Sequence, residues 1–147
     1  MKTVHKSVLL WFSPHEMYVL VTDVNQYSKF LPWCEHARVV EEHDDGMTAE
    51  MGIVFGGVRQ TFSTRNVHIR DSQVHMQLLD GPFSKLEGQW NFVPLGDGSQ
   101  RACKVDLTLT YGFDRSALST LVGPVFDKIA ANMVDAFVKR AQQVYGD

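Results

Sequence analysis

Cysteine is scarce in this chain. Cys34 and Cys103 are its two cysteines, far apart and outside any Cys-x-x-Cys pair, which excludes a disulfide framework and fits a reducing cytoplasm. Long apolar runs are missing too: none approaches the ~20 residues that span a bilayer. The opening MKTVHKSVLLWF carries two lysines and a short apolar run. Ser13-Pro14 follows where a signal peptide would have its small-residue cleavage site, so the stretch reads as a strand. Positive charge is neither abundant nor clustered. Lys and Arg number 14 against 17 Asp and Glu, for a formal net charge of −3. That leaves no electrostatic footprint for nucleic acid, and no direct DNA contact is expected; a ribosomal partner is neither excluded nor supported. HExxH, GxSxG and P-loop patterns are absent, and His5, His15, His36, His43, His68 and His75 are dispersed, so no catalytic residue is assigned. Repeats, low-complexity tracts and linkers are lacking, and residues 1–147 read as one domain.

What is present is a core. Hydrophobic residues make up 44% and aromatics 11% of the 147 positions, the composition of a folded globular protein. The stretch that organises the rest is the last one, Asp114 to Tyr145. Its apolar residues, among them Leu118, Leu121, Val122, Val125, Phe126, Ile129, Met133, Val134, Phe137 and Ala141, recur in steps of three and four, which places them on one stripe of a long helix. Asp114 or Ser116 suits the N-cap and Gly146 the stop. Gly123-Pro124 should kink the helix or split off its first turn. Such a stripe needs an apolar partner of equal length.

The rest of the chain supplies a sheet. Residues 3–12 form a first strand, with Val4, Val8, Leu10 and Phe12 on one face and Leu9 and Trp11 making the other face of its end apolar, so both sides should be covered. Ser13-Pro14-His15-Glu16 is a capping box with proline at N1. The helix it starts runs to about Val24, with Met17, Leu20 and Val21 inward, and Asp23 or Asn25 caps a further short turn to Leu31. After Pro32 come strands at 35–43, 47–55, 58–70, 73–79 and 84–93, and a last one from Cys103 to Tyr111. Asp44-Asp45-Gly46, Asp71-Ser72 and Gly96-Asp97-Gly98-Ser99 mark turns, and Gly56-Gly57 and Asp80-Gly81-Pro82 bend points. The order is one strand, one or two short helices, six antiparallel strands and one long helix: an α+β fold in which a curved, seven-stranded antiparallel sheet grips the helix.

Candidate binding residues come from two features. Tyr27-Ser28-Lys29-Phe30-Leu31-Pro32-Trp33-Cys34 concentrates three aromatics, a leucine and a thiol around a helix-ending proline. It suits a plug at one end of the core or the wall of a ligand pocket, and the two readings overlap. The inward set of the strands and last helix is Met47, Met51, Phe55, Phe62, Met76, Phe83, Trp90, Tyr111, Phe126, Met133 and Phe137. It is either an ordinary core or, since methionine fits variable shapes, a site for a flexible apolar ligand. Tyr27, Phe30, Leu31, Trp33, Phe55, Phe62, Phe83, Trp90, Phe126 and Met133 are therefore the predicted ligand-binding residues. Arg59, Thr64, Arg65 and Asn66 suit either a polar head group or a solvated face. Cys34 and His36, at i and i+2 on one strand face, supply two potential metal ligands where a closed zinc site needs about four, so no metal is assigned.

Several stretches resemble one family. They are Tyr27–Cys34, Arg59-Gln60-Thr61-Phe62, Asp80-Gly81-Pro82-Phe83 with Leu86-x-Gly88-x-Trp90-x-Phe92, and Val134-Asp135-Ala136-Phe137 followed by Arg140-Ala141 and Tyr145-Gly146. In order and over nearly the whole chain they resemble the coenzyme Q-binding branch of the START/polyketide-cyclase-like superfamily, whose bacterial members include the ribosome association toxin. The resemblance implies the helix-grip fold of START and Bet v 1-like proteins. It further implies a non-enzymatic role with no required cofactor: binding ubiquinone or a related prenyl lipid in an internal cavity in support of respiration. The alternative it implies is binding to the large ribosomal subunit and blocking subunit association. A cytoplasmic location follows from either role; lipid carriage adds transient membrane contact and a place at the periphery of the inner membrane.

Overall fold

The computed structural model describes residues 2–55, 57–113 and 116–146, without the side chains of residues 55, 58, 116–119 and 121. In chain order the elements are β1 (Lys2–Leu10), α1 (Pro14–Thr22), a 3₁₀ turn (Val24–Lys29), β2 (Cys34–His43), β3 (Gly46–Phe55), β4 (Val58–Ile69), β5 (Gln73–Asp80), β6 (Phe83–Pro94), β7 (Cys103–Phe113) and α2 (Ser116–Tyr145). The strands form one seven-stranded antiparallel sheet in the order β1-β7-β6-β5-β4-β3-β2. β2 to β7 are a meander, and β1 closes onto β7 from the far end of the chain.

Period-two alternation determines which side of the sheet is covered. In β6, Leu86, Trp90 and Phe92 are buried, and in β7 Cys103, Val105, Leu107, Leu109 and Tyr111 are. α2 lies on that face and buries Val122, Phe126, Ile129, Ala130, Val134, Phe137 and Ala141, the stripe its periodicity predicts. Of the N-cap candidates, Asp114 falls outside the described residues, and Ser116, whose side chain is not described, is the first residue of α2. Gly123-Pro124 does not split off a first turn, because α2 runs unbroken through it. Pro124 is exposed, so its ring needs no room in the core and the loss is confined to one backbone hydrogen bond.

The capping box forms as its sequence predicts. Ser13 Oγ accepts the Glu16 amide at 3.1 Å and Glu16 Oε1 accepts the Ser13 amide at 2.9 Å. Neither candidate caps the 3₁₀ turn: Asp23 makes no side-chain cap bond, and Asn25 Oδ1 instead accepts the Val39 amide at 3.1 Å. Leu9 and Trp11 also depart from expectation. They are 67% and 80% exposed, because β1 is an edge strand and no layer covers the convex face beside it. Gly57, at φ +85°, sits in the tight turn that joins the pair Phe55 and Val58, a conformation glycine takes without steric cost. Register shifts fall beside the second glycine-bearing break, at Ser63/Thr64 and Phe83/Lys85, and in β2 at Cys34/His36 and Val39/Glu41.

Candidate functional site

Between the concave face and α2 the packing leaves an internal cavity of about 70 Å³. Its floor is one row across four strands, Asn66, Met76, Gly88 and Leu109, in register from β4 to β7. Gly88 is small for a reason: a Cβ there would stand 2.6 Å from the Met76 methyl and 3.0 Å from Leu109 Cδ1. Met51 and Phe62 form one side, Met133 and Phe137 of α2 the roof, and Tyr27 and Leu31 one end. Three rings brace that end, with Tyr27 and Phe30 at 5.4 and 5.3 Å from Phe137.

Two polar side chains face this apolar space. Thr64 and Asn66 are both buried, and the Thr64 hydroxyl donates to Asn66 Oδ1 at 2.7 Å. That bond orients the amide so that Asn66 Nδ2, which has no partner among the described residues, is the available donor. Three titratable groups stand near the cavity. Burial pushes the Tyr27 hydroxyl well above the ordinary tyrosine range, and it donates to the Val21 carbonyl. The Arg38 guanidinium, bonded to Glu50 at 3.4 Å, lowers the Glu50 carboxyl. Burial raises the Cys34 thiol to about 11, which leaves it protonated and unreactive at neutral pH.

The ten predicted residues divide by location. Tyr27, Leu31, Phe62, Trp90 and Met133 line the cavity. Phe30 and Trp33, again with Leu31, line a separate open groove of about 560 Å³ between residues 28–33 and α2. Leu31 is the wall common to both. Phe83 and Phe126 lie outside the lining, in a ring cluster with Phe62, Tyr111 and Phe113. The Phe55 side chain lies outside the described residues.

Cys34 and His36 do not share a face. A bulge pairs Cys34 with Ile53 but His36 with Gly52, its neighbour on the opposite face. Cys34 therefore points into the core while His36 meets Glu50 at 3.3 Å outside, and no metal-binding cluster occurs among the described residues. Arg59 and Arg65 sit away from the cavity, paired with Glu35 at 3.0 Å and Asp45 at 2.5 Å. Among the lining residues outside the ten, Phe137 belonged to the inward set, and Gly88 and Leu109 occupy inward positions of β6 and β7; what was not legible is where the packing stays incomplete.

A curved antiparallel sheet gripping one long helix around an apolar cavity defines the helix-grip class of hydrophobic-ligand-binding proteins. The chain belongs to the polyketide cyclase / dehydrase and lipid transport family, whose model matches residues 11–138. It is 40% identical over 143 residues to the ribosome association toxin RatA of Pseudomonas aeruginosa, covering 97% of each chain. It is 32% identical over 142 residues to the mitochondrial coenzyme Q-binding protein COQ10 homolog B of Xenopus laevis, covering 96% of this chain and 58% of that one. Among solved structures, the Zhui aromatase/cyclase of Streptomyces superposes with a TM-score of 0.82 at 14% identity, over 97% of this chain and 94% of that one. At that identity the likeness is one of fold alone.

Proposed function

We propose that this chain is a non-enzymatic binder of ubiquinone or a related prenyl lipid, held between the sheet and α2, in support of respiratory electron transport. The observation that carries the reading is the buried Thr64–Asn66 pair at the edge of an otherwise apolar cavity. A quinone ring presents only hydrogen-bond acceptors, and Asn66 Nδ2 offers a donor in apolar surroundings, where such a bond is at its strongest. At about 70 Å³ the cavity is smaller than the roughly 150 Å³ that holds a benzene ring, so on this reading it widens when the ligand enters. Met51, Met76 and Met133 are the walls that yield, since unbranched methionine side chains repack at low cost. Organic extraction of the purified protein followed by mass spectrometry tests this. A prenyl quinone should be found or loaded, and Asn66→Leu should retain it at least several-fold less well. No loading under saturating quinone would rule the reading out.

A second reading is supported by a different observation, the 40% identity across 97% of a protein named as a ribosome association toxin. On that reading the chain binds the large ribosomal subunit and blocks its joining to the small one. Overexpression followed by a sucrose-gradient profile distinguishes the two. An unchanged ratio of free subunits to intact ribosomes would exclude it.

A further inference from the structure

The open groove on the outer side of Leu31 differs in character from the cavity. Its floor is apolar, built from Phe30, Leu31, Pro32 and Trp33. Its rim carries three cations, Lys29, Lys139 and Arg140, against the one carboxylate of Asp135. The Arg140 guanidinium lies 5.1 Å over the Phe30 ring, which holds it at the groove mouth. Lys29 and Lys139 have no ion-pair partner among the described residues. Trp33 completes the floor: it is only 7% exposed, and its indole Nε1 is buried with no hydrogen-bond partner among the described residues.

We propose that this groove binds the phosphate headgroup of an anionic membrane phospholipid and so seats the chain on a bilayer. In that position Leu31 is the single wall between the lipid surface and the cavity. The cations take the phosphate, and the apolar floor meets the acyl region beneath it. An RNA phosphate backbone fits less well. The cations here flank an apolar strip instead of forming a broad basic face, and a phosphate backbone offers that strip no acyl region to cover it. The purpose of the docking rests on the reading of the cavity as a site for a membrane-borne lipid; the binding event itself is measured separately.

The test uses the full chain and sedimentation with vesicles of neutral phosphatidylcholine, or of that lipid with about a third phosphatidylglycerol. Binding should favour the anionic vesicles and weaken at high salt. Lys29→Gln with Lys139→Gln should lower partitioning onto them roughly 30-fold, at about 1 kcal/mol for each basic residue near an anionic surface. Trp33→Phe, which trims the apolar floor and removes the indole N–H, should weaken it several-fold, with a urea melt confirming that the variant is folded. Uptake of a short-tailed, water-soluble quinone should be the same in wild type and variants, which reads the cavity without the membrane step; its absence in wild type would sink the cavity reading and leave the groove standing. Equal binding to both vesicle types would overturn the proposal. So would wild-type vesicle binding by the double lysine variant. Two further outcomes count against it: loss of ribosomal-subunit binding with vesicle binding intact, and loss of vesicle binding on replacing the exposed Trp11 by Ser while the lysine variant binds normally.

Discussion

The three tryptophans occupy three different environments, and the cost of truncating each follows from where it sits. Trp90 is packed between the Phe92 and Phe137 rings at 6.2 and 5.2 Å and is 2% exposed. Its replacement by Ala should cost about 3–5 kcal/mol, the range for an aromatic removed from a close-packed core. Trp11→Ala should change stability by less than about 0.5 kcal/mol, since the side chain is in water. Trp33 lies between them. It is as buried as a core residue but borders an open groove with an unpartnered N–H, so truncation removes packing and also relieves a lone donor. A loss of about 1–3 kcal/mol follows. Urea melts of ligand-free protein measure all three, and a Trp33→Ala loss equal to that of Trp90→Ala would make Trp33 a plug and nothing more.

At the scale of elements, one acidic residue joins three of them. Glu16 closes the capping box of α1 and receives Arg101 Nε and Nη2 at 2.8 and 2.7 Å, from the segment between β6 and β7. Arg101 Nη2 also donates to the Tyr145 carbonyl at 3.3 Å, and the Tyr145 hydroxyl donates to the Glu16 carbonyl at 3.1 Å, which ties the end of α2 to the start of α1. The Arg101 hydrogen bonds, aided by the Ser13 amide and against some burial, hold the Glu16 carboxyl at about 2, below its ordinary 4.5. A carboxyl depressed by folding stabilises above its unfolded value and loses that contribution as pH falls through the folded one. Arg101→Gln should therefore destabilise by about 1 kcal/mol at pH 7, the upper range for a solvated pair. The difference from wild type should shrink between pH 4.5 and 2. Urea midpoints of both proteins across that range check it; a constant difference would mean that Arg101 acts through packing on Phe12, over which it lies at 5.3 Å.

At the scale of the whole molecule, ligand binding and stability are linked. A lipid that binds only the folded chain stabilises it by about 2.7 kcal/mol at a hundred-fold excess over Kd. For a domain of this size that raises Tm by roughly 5–11 °C. Gly88→Ala provides the control, because its added methyl drives the Met76 end into the cavity. Stability without ligand should stay within about 1 kcal/mol of wild type, as the methionine gives way, while the quinone-dependent rise in Tm falls by half or more. Thermal melts with and without a short-tailed quinone measure both. An undiminished rise in the variant would place the ligand elsewhere.

The elements of this fold follow from local sequence. The α2 stripe, the β6 and β7 alternations and the Ser13–Glu16 capping box depend on residues a few positions apart, and local geometry satisfies them. The inward lists were legible for the same reason, and so half of the predicted site residues line the cavity. Three matters needed the tertiary structure. Strand order decided that β1 is an edge and that Leu9 and Trp11 face water, because coverage depends on which element lies over a face. A bulge in β2 separated Cys34 from His36, since one extra residue reverses the faces of all that follow. The cavity itself is a residue of packing. Whether Met76, Gly88 and Met133 fill the space under α2 or leave it open depends on volumes brought together from β5, β6 and α2, and no local pattern records that sum.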